Sequence, residues 1–360
     1  MTAGNFSAFV SPKRDGNSKM NSNAVVIATA NSAAPGIAAD RDEILRGLKA
    51  VQKHLSPKYF YDKQGSELFD RICSLPEYYP TRTELHLMRE HISEIAGLVG
   101  ERAAVIEFGA GSNVKVRLLL DHLRRPAAYV PVDISPEFLM SEVGSVRRDY
   151  PDIRVQPVFA DFTRPFALPE HPVTPDRNLV FFPGSTIGNF TRRGAFDLLR
   201  VMAAEAKPGG ALLIGVDVPK DPETLRAAYN DRQGVTAKFN LNLLTRLNRE
   251  LGANFDLERF RHQAVYDCER QRIEMRLVST VRQRVLVAGE AVDFAPREYI
   301  ITEYSHKYAP DEFRGMARRA GFVPGRTWVD HAGLFSVHYM TVPRRSQAVA
   351  YQFPRRTTSV

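Results

Sequence analysis

The stretch Glu107-Phe108-Gly109-Ala110-Gly111 decides the fold. It closes a short apolar run over 103–108, and an apolar run of that length bounded by glycine reads as a buried strand. Glycine at a strand tip lets backbone N–H groups approach a ligand closely, at the carboxyl edge of a sheet where ligands bind. The pattern stops short of a dinucleotide fingerprint: GxGxxG needs a third glycine at position 114, and Val114 stands there. That mismatch counts against an NAD site.

Outward from this point, helix and strand patterns alternate. Residues 114–124 read as helix, 127–134 as strand, 136–148 as helix, and 155–160 as a strand that runs into Asp161. A strand over 178–182 enters Gly184-Ser185-Thr186-Ile187-Gly188-Asn189, followed by a helix over 193–206 and a strand over 211–218. Such alternation predicts an α/β fold with a mostly parallel, doubly wound sheet and helices on both faces. After an interruption come a helix over 311–319 and two strands, 322–329 and 334–342. A closing helix and antiparallel hairpin is how the Rossmann-like sheet of S-adenosylmethionine (SAM) dependent methyltransferases finishes, so a terminal antiparallel strand is expected.

The flanks differ in pattern. Ile44, Leu45, Leu48 and Val51 recur at helical spacing before Pro57, a second amphipathic stretch ends near Pro76, and 83–99 reads as a longer helix. Residues 219–307 break the alternation with helical stretches and then strand-like ones, notably 273–281 and 284–287. The expected organisation is a SAM-binding domain from 83–218 and 308–342, and a smaller α+β substrate lobe from 41–82 and 219–307. Residues 1–40, rich in Ser, Asn, Ala and Gly, read as a disordered tail, and 343–360 as a basic tail.

Composition narrows the function. The net charge of +8 invites nucleic acid, but residues 1–40 carry +1 and 343–360 carry +4, leaving +3 for the 302 residues between. Nucleic-acid domains need a dense basic stripe, so none is expected to bind here. No apolar run approaches the ~20 residues of a membrane span. A faint signal-peptide-like run at 24–30 starts late and is short, which argues against export. Cys73 and Cys268 lie far apart in no CxxC pattern, and the nine histidines show no HExxH spacing, so no metal site is suggested and a reducing cytoplasm is expected.

Three strand tips suggest the cofactor. Asp133, 24 residues after Gly109, suits the two ribose hydroxyls. Asp161 suits the adenine amino group and Phe162 the face of the base, while Lys115 can reach the methionyl carboxylate. Singly, such acids more often cap helices and such a lysine is as often solvated. Their joint placement beside Gly109 favours SAM.

The run Leu75-Pro76-Glu77-Tyr78-Tyr79-Pro80-Thr81-Arg82-Thr83-Glu84, together with 184–189, resembles the ergothioneine-pathway histidine Nα-methyltransferases, and the likeness extends over about 41–342. Further matching stretches are Phe60-Tyr61-Asp62, Ala227-Ala228-Tyr229, Arg272-Ile273-Glu274-Met275 and Thr302-Glu303-Tyr304-Ser305. The resemblance implies three successive methylations of L-histidine, giving hercynine. It implies that Asn189 and Tyr229 hold the substrate carboxylate, and that Tyr78, Glu303 and Ser305 surround the imidazole. Met275 would pack beside the ring, with Gly184 and Tyr61 near the amino group. It implies SAM contacts at Gly109, Lys115, Asp133, Asp161 and Phe162. A monomer is expected, though no residue pattern fixes the oligomeric state. A carboxylate at Glu303 can accept an imidazole N–H and favour histidine over apolar amino acids. Without the family match, Glu303 reads equally as an exposed strand acid, and Tyr78 and Tyr229 as packing residues. The alternative reading keeps SAM and N-methylation but takes another amino acid or imidazole-bearing small molecule.

Overall fold

The computed structural model describes residues 28–29, 37–111, 113–164, 166–169 and 174–344. In chain order the elements are β1 (Ala28–Thr29), α1 (Arg41–Lys49), α2 (Lys63–Cys73), α3 (Tyr79–Val99), β2 (Ala103–Phe108), α4 (Val114–Leu120), β3 (Ala128–Asp133) and α5 (Pro136–Asp149). Then come β4 (Val158–Phe159), β5 (Arg177–Phe182), α6 (Arg192–Ala206), β6 (Ala211–Asp217), α7 (Pro222–Ala228) and α8 (Val235–Leu251). The chain ends with β7 (Phe260–Asp267), β8 (Arg272–Ser279), β9 (Gln283–Val287), β10 (Glu290–Phe294), β11 (Tyr299–His306), α9 (Pro310–Arg319), β12 (Val323–Val329) and β13 (Phe335–Thr341).

Eight strands form one sheet in the order β1-β4-β3-β2-β5-β6-β13-β12. Neighbours from β1 to β6 are parallel, and β13 slots antiparallel between β6 and β12. Every residue of β2 and β6 is buried, as strands covered on both faces require. One face packs Leu87, Ile92 and Ile95 of α3 and Val116 and Leu119 of α4 over Val105, Leu179 and Leu213. The other packs Leu198, Leu199 and Met202 of α6 and Phe313 of α9 over Ile106, Val180 and Ile214. Each such fully buried side chain contributes about 1.5–3 kcal/mol. This is the Rossmann-like methyltransferase sheet expected above.

A third core lies apart from the sheet. It joins Ile44, Leu48, Phe60 and Ile72 from before β2 to Leu225, Phe239, Leu243, Ile273, Met275 and Ile300 from after β6. Around it stand the antiparallel sheet β11-β8-β7, the hairpin β9-β10 and helix α8. Leu55 donates its N–H to Ile301 O at 2.9 Å, fastening the N-terminal segment along β11.

Several boundaries shift for physical reasons. Helix α3 begins at Tyr79, four residues before the predicted start, because Pro80 fits the first turn, where its missing N–H has no helical partner to lose. The strand predicted over 155–160 shrinks to Val158–Phe159, since Pro157 lacks the N–H for a ladder bond; Val155 makes only an isolated bridge to Tyr129. The disordered tail expected through residue 40 is corrected at its end: Ile37 is buried in the third core, and Asp40 N–H closes a turn onto Ile37 O. Ala28–Thr29 add a parallel edge strand beside β4. The remainder of that tail, 1–27 and 30–36, and residues 345–360 of the basic tail lie outside the described residues.

Candidate active site

The cofactor side follows from strand ends. Gly109 takes φ +69°, a left-handed conformation that favours glycine, and its N–H is held by Val132 O at 2.8 Å. A side chain there would lie 3.5 Å from the Phe162 ring. That ring is fixed by Phe108 (centroids 5.5 Å) and Phe182 (5.7 Å), so it forms a firm apolar surface beside the glycine turn. Asp133 ends β3; one of its oxygens accepts from Ser135 N–H at 2.8 Å, and burial pushes its carboxyl up to about 7. Asp161 spends one oxygen on the N–H (3.0 Å) and hydroxyl (2.5 Å) of Thr163, leaving the other toward Arg164 at 3.9 Å. A left-handed glycine, an aromatic face and two strand-tip carboxylates fit an adenosyl group.

Lys115, on the first turn of α4, has a buried partner within the protein. It is paired with Glu84, a buried carboxylate that also accepts the Gly184 N–H at 2.8 Å. Gly215 makes room for this acid: a Cβ there would lie 1.9 Å from Glu84 Oε1. Glu84 therefore ties α3, α4 and the turn after β5 to one point. Sequence reasoning quoted it within a motif and assigned it no role; an acid on an otherwise apolar helix face was the available signal.

The substrate-side residues come from six segments of the chain. Tyr61 follows a 3₁₀ turn over Pro57–Phe60, and the corner is tight because Asp62 caps α2, accepting Gly65 N–H at 2.7 Å. Tyr78 precedes α3 and meets the rings of Tyr229 (6.1 Å) and Phe69 (6.3 Å) edge-on. Tyr229 ends α7, and its hydroxyl lies 2.6 Å from Ser305 Oγ. Glu303 stands directly across the ladder from Met275, so the two share one face of the small sheet.

Glu303 is 9% exposed and has no hydrogen-bond partner among the described residues. Burial pushes its carboxyl up to about 8, with Lys307 opposing. Tyr61 and Tyr78 are held well above the ordinary tyrosine value, first by burial and also by the charge of Glu303 nearby. Tyr304 and His306, on either side of Ser305, turn to the other face, where Tyr304 stacks under Arg272 and His306 approaches Gly188 O at 3.1 Å.

Asn189 ends a 3₁₀ turn over Thr186–Asn189 that begins from two left-handed residues, Gly184 (φ +83°) and Ser185 (φ +57°). This turn abuts β11: a Cβ on Gly188 would lie 2.7 Å from His306 O. The structure thus brings Tyr61, Tyr78, Tyr229, Met275, Glu303 and Ser305 into one neighbourhood, and the Gly184–Asn189 turn joins it to the sheet tips. It also reveals Asp217, Lys220, Lys307 and Tyr79, which sequence reasoning left out. Asp217 accepts from Lys307 at 2.6 Å, Lys220 at 2.5 Å and the Tyr79 hydroxyl at 2.7 Å. Their signal was a lysine just past the end of β11, two residues after Ser305, and an acid ending the apolar β6.

A mostly parallel sheet closed by an antiparallel strand, with a cluster of buried polar side chains near the Gly184–Asn189 turn, defines a class that the relatives narrow. The histidine-specific, SAM-dependent methyltransferase family matches residues 40–342, and the chain belongs to it. It is 40% identical over 313 residues to the histidine N-alpha-methyltransferase of Mycolicibacterium smegmatis, covering 86% of this chain and 95% of that protein. It is also 40% identical to the histidine N-alpha-methyltransferase of Mycobacterium tuberculosis, over 82% of this chain and 93% of that one. Ergothioneine biosynthesis protein 1 of Neurospora crassa is 29% identical over 82% of this chain, which spans 34% of that longer protein.

Proposed function

We propose that this chain transfers methyl groups from SAM to the α-amino group of L-histidine, giving hercynine for ergothioneine biosynthesis. The observation that carries the reading is Glu303: a buried carboxyl without a hydrogen-bond partner among the described residues, set among Tyr78, Tyr229 and Met275. A buried acid without a bond is costly unless a ligand supplies one, and an imidazole N–H does so.

SAM, when bound, supplies an electrophilic methyl on a sulfonium. Gly109, Asp133, Asp161 and Phe162 hold it, with Lys115 and Glu84 at the methionyl end. The chain's remaining task is orientation, because methyl transfer to an amine needs a free lone pair and alignment rather than a protein nucleophile. Asn189 and Tyr229 take the substrate carboxylate, Glu303 and Ser305 take the imidazole with Met275 and Tyr78 packed beside it, and Tyr61 and the Gly184 turn face the amino group. Burial keeps the phenols of Tyr61 and Tyr78 protonated at neutral pH, so Tyr61 faces the amine, and Tyr78 the imidazole, as a neutral hydroxyl.

The enzyme works in the cytoplasm as a monomer and without nucleic acid: both cysteines are free, the positive charge gathers in the C-terminal tail, and one chain supplies every pocket residue. The test is incubation with SAM and each of the twenty amino acids, read by mass spectrometry. Mono-, di- and trimethylated histidine is the expected product set; absence of any methylated histidine overturns the assignment.

A further inference from the structure

Lys307 is fully buried, and all three of its ammonium protons are used. It donates to Asp217 Oδ2 at 2.6 Å, to Ser305 Oγ at 2.8 Å and to the Tyr229 hydroxyl at 3.2 Å. Tyr229 and Ser305 lie 2.6 Å apart, so one of their two hydroxyl protons sits between them. The other hydroxyl proton has no acceptor among the described residues. An ammonium only donates, so that proton turns away from Lys307 and toward whatever fills the pocket.

The charge count gives the occupant's sign. Asp217 is a single buried carboxylate shared by two ammonium groups, Lys307 and Lys220, the latter 7% exposed. The hydrogen-bonded groups therefore hold one positive charge more than their anion balances, Asp330 offsetting part of it at Lys220 while Lys307 has only Asp217 as a bonded anion among the described residues, and a buried charge costs several kcal/mol unless paired. Glu303 and Ser305 share one face of β11, and Lys307, just past its end, folds its ammonium back onto Ser305 Oγ at 2.8 Å, so Ser305 stands between the strand position of the carboxyl and the cation. A zwitterion-sized molecule with a hydrogen-bond donor at one end and an anion at the other matches that layout.

We propose that Lys307, held by Asp217, is a positioning residue: it orients the Tyr229–Ser305 pair so that Ser305 donates to Tyr229 and the Tyr229 hydroxyl proton points outward, where, backed by the unbalanced positive charge, it binds the substrate's α-carboxylate. The inference rests on the histidine reading. Its test compares L-histidine with histamine, which keeps the imidazole and amine and lacks the carboxylate. Calorimetry on the S-adenosylhomocysteine-loaded full-length chain gives both affinities. Lys307→Met weakens histidine about ten- to hundredfold, leaves histamine within about twofold, and raises KM more than it lowers kcat. S-adenosylhomocysteine affinity serves as the folding control. Unchanged histidine affinity, or equal losses for both ligands, overturns the proposal.

If Lys307→Met fails that control, the double variant Lys307→Met/Asp217→Asn removes the stranded carboxylate. It is expected to show the same selective loss, and wild-type histidine affinity in it is equally contrary. Failure of the wild-type protein to bind histidine would instead remove the functional reading itself, so the two failures are distinguishable.

Discussion

The two halves of the site are built by different means. On the cofactor side the work falls to backbone: a left-handed Gly109, the ends of β2 and β3, and a ring clamped by two other phenylalanines. On the substrate side it falls to buried polar side chains, where Asp217, Lys220, Lys307, Tyr79, Tyr229 and Ser305 form one connected network. A backbone cradle accepts any ligand of the right shape and tolerates change around it. A buried polar network is satisfied by few ligands and is costly to disturb, which is how specificity comes to reside there.

Glu84 is where that contrast is easiest to break, because it belongs to the cofactor half yet is built like the substrate half. Glu84→Ala strands Lys115 and releases the Gly184 N–H. We expect about 3–5 kcal/mol lost in urea unfolding and methyl transfer lowered more than a hundredfold, because removing one partner leaves a buried charge uncompensated. Wild-type stability would mean that the acid is not the tie between the halves.

Glu303→Ala sharpens the contrast. Preference for histidine over apolar amino acids should fall by about 1–3 kcal/mol in competition assays, while S-adenosylhomocysteine binding stays as in the wild type. Equal losses of both would assign Glu303 to the frame rather than to recognition. The same acid leaves a pH signature. Burial raises its folded-state value from the ordinary 4.5 to about 8, so the native chain retains a proton that the unfolded chain has released. Its contribution to stability therefore declines as pH rises from about 4.5 to about 8. Glu303→Gln should flatten that decline by an amount on the order of 2–4 kcal/mol in ligand-free protein. An unaltered stability profile would contradict a buried, unpartnered carboxylate.

Phe162→Leu probes the backbone cradle and should do least. It trades an aromatic face for an aliphatic one and is expected to weaken S-adenosylhomocysteine by about 1 kcal/mol, with histidine preference intact. A change in substrate preference would show that the halves are not separable.

Legibility followed the same division. The strands around Gly109 were readable because a buried parallel strand is a continuous apolar run ended by a turn residue, and β2 emerged over 103–108 as read. The mostly parallel, doubly wound character of the sheet followed from alternation, whereas its strand order came only from the structure. What pattern reading lost was local chemistry: Pro157 shortening β4, and Pro80 starting α3 early. At the site, Asp133 and Phe162 could be inferred from their strand tips, whereas Glu303 and Tyr229 rested on resemblance, since one acid on a strand has no period to mark it. Lys307 and Asp217 were missed because their partners lie 90 residues apart in the chain, on β6 and beyond β11, and such a pairing exists only after folding.

The most direct test of the whole account is a crystal structure of the chain with S-adenosylhomocysteine and L-histidine. The imidazole N–H is expected on Glu303, the carboxylate at Asn189 and the Tyr229 hydroxyl, and the amino group facing the cofactor's sulfur. Histidine bound elsewhere, or held in this pocket with Glu303 turned away from the ring, would contradict it.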